Sequence, residues 1–510
     1  MKIKRILCGA ALALFAQALI APAPIAPIAI AQTPAPNAAR ATPDPGSLTE
    51  AQIREMQLPN ALFRLAAIYK QTGDLQRLVW ALQRLTTLMP NTGDLKLALA
   101  SVYAEQGEKS KTYDLLLHMQ QQGFGYDLTD NKSFAKVSDT RVWKYIVENL
   151  NANLKPFGEG KVAFTLPKGD YLFESLAYDP KRKQFLAGSV RDGTVYLVGK
   201  DGSLQKFIAP GADNGLWSVY AMAVDAPHDA LYVASTSSVY FKGFKQEDFG
   251  KAGVFKFKLS TGKLQDKYLL APDNQPRTLS SLAVGPDGQV FAADGLRNII
   301  YRLDGGALKV MVENPKLTSI RGLVVSEDGK RLYFADYALG VFGVDLAAGK
   351  GFDLNYAADQ LVLGGIDGIY AYDHTLVVIE NGMSPKRVMR LAIGEDGRKV
   401  GKVMPLDVAN PAFALPTYGA VDGEGLYFIA NSQRNAYDAY GNPKDVAKLE
   451  PTRIFRSNLR FAWDQSGIGT QVMSIPPAGA RAAPAPHSGL FDNVEGGAQS
   501  TGADKDASGG

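Results

Sequence analysis

The sequence predicts a mainly β chain, a six-bladed β-propeller preceded by a small all-α domain of helical repeats. Two observations carry that reading. From residue 161 the apolar pattern has period two, with Gly, Asp and Pro punctuating short strands. Within it one template recurs as "ESLAYDPKRKQFLAGS", "YAMAVDAPHDALYVAS", "SSLAVGPDGQVFAAD", "RGLVVSEDGKRLYFAD", "DGIYAYDHTLVVIEN" and "TYGAVDGEGLYFIAN". Six such units at spacings of about 40–60 residues, each a small antiparallel sheet, fit a closed ring of blades. A β-sandwich does not explain the recurring template. Ahead of them, residues 49–123 follow a helical pattern that also repeats.

Composition bounds the rest. At 510 residues the chain exceeds one ordinary core. Hydrophobic residues make up 46% and charged residues 21%, enough to bury globular cores. The net charge of +4 is small, and no dense Lys/Arg run interleaved with aromatics follows the first residues, which sets nucleic acid aside.

Residues 1–31 read as a signal peptide. "MKIKR" is a basic start, "ILCGAALALFAQALI" a short apolar run, and "AIA" at 29–31 offers small residues before Gln32. The apolar run is shorter than the roughly 20 residues needed to cross a bilayer. The expectation is a periplasmic or secreted protein with no membrane span after processing. Cys8, the only cysteine, lies in this leader, so the processed chain has no thiol for catalysis, disulfides or metal. Residues 32–48 form a Pro/Ala-rich linker, and residues 476–510 are too polar to fold and read as a disordered tail.

The helical domain is placed at 49–155. Leu65, Tyr69 and Gly73 recur 34 residues later as Leu99, Tyr103 and Gly107, with Ala81 at a close-packing position and Pro90 ending the unit. This resembles the tetratricopeptide repeat. "TRVWKYIVENL" reads as a third, capping helix. Such repeats serve as a spacer or docking element, or as a groove for a protein partner. With two repeats the first is favoured.

The propeller is placed at 161–475, and "KVAFTL" at 161–166 is expected to close the ring by joining the last blade. Aligning the units on their own register sets one residue at the start of each innermost strand: Glu174, Tyr220, Ser280, Arg321, Asp367 and Thr417. These starts converge at one mouth of the central channel, which is expected to hold a small-molecule ligand. Two long loops open on the same face, "TSSVYFKGFKQEDFGKAG" and "NSQRNAYDAYGNPKDVAKLEPT". Their Tyr240, Phe241, Phe244, Tyr437 and Tyr440 form a candidate lid.

"LFESLAYDP", "RGLVVSEDGKRLYFAD" and "GGIDGIYA" resemble the senescence-marker/gluconolactonase/luciferin-regenerating-enzyme family of six-bladed propellers, over roughly residues 165–475. The resemblance implies a hydrolase acting on a lactone or similar small ester, with a divalent metal, calcium or zinc, in the channel. Carried over by position, Glu174 and Asp367 are the metal ligands and candidate catalytic residues. Arg321 and Ser280 stand where the family has asparagines, and with Tyr220 and Thr417 they are candidate substrate-binding residues. Arg cannot ligate a cation and repels one, so a non-catalytic binding or docking module is the alternative.

Overall fold

The structure is a computed structural model that describes residues 44–463. The leader, most of the linker, the last residues assigned to the propeller and the tail lie outside the described residues. The mainly β chain is built as expected, six sheets of four antiparallel strands behind a helical region. In the sixth sheet the outermost strand is Lys161–Leu166, paired antiparallel with Thr452–Asn458, so the start of the propeller completes its last blade. Closure leaves no exposed inner edge to pair with another chain. Packed side chains fill the space between blades; Leu186, Val219, Leu231, Val233 and Phe255, for example, join the first blade to the second.

The innermost strands share one irregularity. In five blades their pairing with the second strand skips a single residue: Glu174, Tyr220, Ser280, Arg321 and Asp367. A bulge of this kind leaves the extra residue outside the ladder and re-aims its side chain. The residue after each is small: Ser175, Ala221, Ser281, Gly322 and Gly368. These five strands therefore approach the axis closely while one side chain from each turns into the mouth.

Among the described residues, six α-helices precede the propeller: α1 (Glu50–Glu55), α2 (Pro59–Thr72), α3 (Leu75–Leu88), α4 (Gly93–Glu105), α5 (Lys109–Gln121) and α6 (Arg141–Ala152). The α2–α3 hairpin recurs as α4–α5, 34 residues on. Gly73 and Gly107 turn the chain at positive φ (73° and 79°), a conformation costly for residues with a Cβ. Ala81 is fully buried in the first hairpin. Residues of the expected linker join this unit, since Leu48 is buried and Tyr69 donates to the Pro45 carbonyl at 2.8 Å. No helix among the described residues is long and apolar enough to cross a membrane.

The helical unit stands on the propeller. Antiparallel succession puts the second-to-third-strand loops and the blade connectors on the face where innermost strands begin. The helices grip that face over blades four and five. Asn91 Nδ2 donates to Leu339 O at 2.8 Å, and Gln122 Nε2 to Ala358 O at 2.6 Å. The Gly125 amide donates to Ser384 O, and Ser384 Oγ returns a bond to Gly125 O, each at 2.7 Å. Bare glycines allow the approach: a Cβ on Gly364 would stand 2.3 Å from that of Asn91.

Candidate functional site

The mouth is centred on a residue that the register alignment did not single out. Arg434 sits in a short 3-10 turn, Arg434–Ala436, within the long loop between Gly425–Ile429 and Thr452–Asn458 of blade six. Its Nη2 lies 2.9 Å from Asp367 Oδ2 and 3.2 Å from Glu174 Oε2. Both acids are buried. Ser432 Oγ donates to Glu174 Oε1. Asn381 Nδ2 donates to Asp367 Oδ2 at 2.6 Å and to Pro416 O at 2.8 Å, while Tyr337 OH donates to Asn381 Oδ1 at 2.8 Å. Arg321 belongs to the same cluster at longer range. Its Nε is 3.8 Å from Asp367 Oδ1, and its guanidinium lies 5.6 Å from the centre of the Tyr337 ring. Two carboxylates thus face two guanidinium groups.

The environment sets the protonation balance. Burial raises the Glu174 carboxyl above its usual range, and the Arg434 charge opposes that rise. Burial also works against the Arg434 charge, but Glu174 and Asp367 outweigh it and hold the guanidinium protonated. Burial pushes the Tyr418 phenol up to about 12 and raises Tyr220 and Tyr337 as well, so these rings remain neutral donors. Below the charged layer lies a channel cavity of ≈ 60 Å³, lined by Ser175, Ala221, Ser281, Gly322, Gly368 and Gly419 among others. That is room for about two water molecules. The hydroxyls of Ser175, Ser280 and Ser281, residues of the same strands, are buried and find no hydrogen-bond partner in the protein.

Five of the six aligned positions, Glu174, Tyr220, Ser280, Arg321 and Asp367, reach the mouth or the cavity below it. The sixth requires a correction. Thr417 is fully buried and its amide bonds the Ile429 carbonyl at 2.8 Å, while Gly419 pairs with Phe428. The residue left over is Tyr418, which lines the channel in its place. The register slips by one because "PTYGAV" lacks the apolar residue that precedes the ring position in blades such as "IRGLVV" and "IDGIYA".

The two long loops meet over the same face. Tyr240 and Tyr437 pack edge to face, 6.3 Å between ring centres. Asp170 holds both loops: it accepts from Tyr437 OH at 2.9 Å and from Arg191 Nε at 2.8 Å, and Arg191 Nη1 donates to Tyr240 O. Tyr220, from the ring, bonds Ser238 Oγ at the start of the first loop at 2.9 Å. Tyr440 stays exposed. One side of the mouth is therefore covered by loops and another by the helical unit.

No family model matches the chain, and no curated protein matches it. Solved structures resemble its fold. A gluconolactonase from Xanthomonas campestris is 13% identical, covering 60% of this chain and 92% of its own, with a TM-score of 0.39. A virginiamycin B lyase from Staphylococcus aureus, inactivated and solved with quinupristin, is 13% identical over 60% of this chain and 100% of its own, with a TM-score of 0.38. A Thermus protein described as a putative oxidoreductase (glucose dehydrogenase) is 18% identical over 59% of this chain and 100% of its own, at 0.37. The likeness is one of fold.

The residues present do not fit the divalent metal that the sequence resemblance implies. Calcium takes six to eight oxygen ligands and zinc about four ligands, with carboxylates free to coordinate. Here each carboxylate already bonds a guanidinium, Arg321 adds a second positive charge, and no group of three His, Cys, Asp or Glu side chains comes together among the described residues. The guanidinium between the acids is that of Arg434, with the aligned Arg321 at longer range. What signal existed for Arg434 was its place in "NSQRN", at the root of a loop too long to be a simple turn. Tyr337 and Asn381 hold the same place, directly after the second strand of their blades, but differ in type, so the repeat did not single them out, and Ser432 lies in the sixth-blade loop.

Proposed function

We propose that the chain is an exported, metal-independent binding module rather than a lactone hydrolase, with a small polar ligand held at the propeller mouth. The reading rests on Arg434, which neutralises Glu174 and Asp367 where a metal enzyme needs them free. Export rests on the leader-like first 31 residues. The mouth retains groups for recognition. Asp367 Oδ1 and Arg321 Nε lack hydrogen-bond partners in the protein; the Tyr337 ring faces the Arg321 guanidinium, and the Tyr418 hydroxyl donates to Arg321 O at 3.4 Å. The helical unit acts as a scaffold over the mouth, because its closest polar contacts go to the propeller itself.

Incubation with a panel of lactones and small esters, with and without chelator, tests this reading. The expected result is no turnover above buffer in either condition. Turnover that disappears in Glu174→Gln or Asp367→Asn would establish the hydrolase instead.

A further inference from the structure

The grip of Arg434 on its two acids is one-handed. Both ion pairs run through Nη2, and Nε has no hydrogen-bond partner in the protein. A guanidinium free to align bonds carboxylates through two nitrogens of its planar fork. Arg434 approaches from a 3-10 turn rooted in blade six, and its contacts with Glu174 of blade one and Asp367 of blade five converge on one nitrogen. On the acid side, Asp367 is only 1% exposed, yet its Oδ1 accepts no hydrogen bond. The site holds more acceptor capacity than its tethered occupant uses.

We propose that the Glu174–Asp367 pair is a recognition site for the guanidinium or amidinium group of a small ligand, and that Arg434 is an internal ion which such a ligand displaces. The inference rests on the binding reading above and names the ligand class. Charge supports it. With Arg434 withdrawn, Glu174, Asp367 and Arg321 sum to one negative charge, which one monocation balances. Shape supports it as well. Two carboxylates from separate blades converge on a single planar group, beside the Tyr337 ring that already carries the Arg321 guanidinium at 5.6 Å. Withdrawal has a route, because the Arg434 side chain is 28% exposed and lies on a loop, whereas the acids sit on innermost strands. A compact ammonium lacks the planar fork and gains less from the same two acceptors.

The test is chemical rescue. Arg434→Ala and the milder Arg434→Gln are melted in about 10 mM methylguanidinium chloride, and in tetramethylammonium or sodium chloride at equal ionic strength. Methylguanidinium alone is expected to raise the melting temperature of both variants by about 2 °C. The wild type should respond far less, because Arg434 competes, and the rise should vanish when Asp367→Asn is added to Arg434→Gln. If Arg434→Ala fails to fold, the glutamine variant supplies the same comparison. Equal responses to all three salts, no response to any, or a rise that survives Asp367→Asn would overturn the ligand class. None of these results bears on lactone turnover, which separately tests the binding reading.

Discussion

Arg434 Nη2 lies 2.9 Å from Asp367 Oδ2, joining a loop of the sixth blade to the innermost strand of the fifth. The same nitrogen reaches Glu174 of the first blade, so one guanidinium ties three blades at the channel mouth. Removing one partner of a buried ion pair leaves the other charge uncompensated, at a cost of about 3–5 kcal/mol. Arg434 is partly exposed, which moderates that figure.

Arg434→Met is therefore expected to lower unfolding free energy by about 2–3 kcal/mol. Adding Glu174→Gln removes one of the two stranded charges and should recover part of the loss. Urea denaturation of the single and double variants reads this directly. A double variant less stable than Arg434→Met would mean that Glu174 is held by something other than its charge.

Lys96 supplies a pH signature at the seat of the helical unit. Its ammonium is buried, donates to Gln122 Oε1 at 2.8 Å, and stands 5.4 Å from the centre of the Phe124 ring. Burial pushes it down from the usual 10.5 to about 8. Between those values the unfolded chain holds a proton that the folded chain has released, so stability rises with pH across that window. Below about 8 the cost of the buried charge is present in full. Raised tyrosines begin to act against the fold near pH 10, so the rise is read from pH 8 to about 9.5. Lys96→Met should abolish the slope and stabilise the protein at pH 7 by about 2 kcal/mol. A slope that persists in Lys96→Met would assign it to another group.

The grip of the helices on the propeller depends on a glycine with no spare room. Gly364→Ala would place a methyl 2.3 Å from Asn91 Cβ and 3.0 Å from its carbonyl oxygen. Overpacking of this kind costs about 1–3 kcal/mol. Limited proteolysis should then cut first between the helical unit and the propeller, near residues 155–160, with the propeller surviving. Cleavage at the same rate as in the wild type would mean that the helices shift without letting go.

The ring of blades was legible because it repeats: strand, turn and strand recur often enough that a register can be drawn through them. That register placed Glu174 and Asp367 together although 193 positions separate them, since each is the extra residue of a bulge at the same place in its blade. It failed at Thr417, where a polar run blurred the phase and Tyr418 took the position. It had no means of finding Arg434. A loop residue has no period, and its partners are chosen by the path of the loop over the mouth. The docking of helices on blades four and five was hidden for the same reason, being made of single contacts such as Asn91 to Leu339. The helices themselves were legible from their 34-residue recurrence and the turns at Gly73 and Gly107.

Arg434 stands at the mouth between the two acids that a metal ion would need. Thermal unfolding of the wild type in calcium and in excess chelator tests this most directly, with Arg321→Asn beside it. The melting temperature should be the same in both buffers to within about 0.5 °C, because a ligand stabilises only if it binds the folded state. Arg321→Asn should gain nothing from calcium either, because Arg434 still lies between the acids. A calcium-dependent rise in the wild type that Glu174→Gln abolishes would contradict the account and show that a metal displaces Arg434.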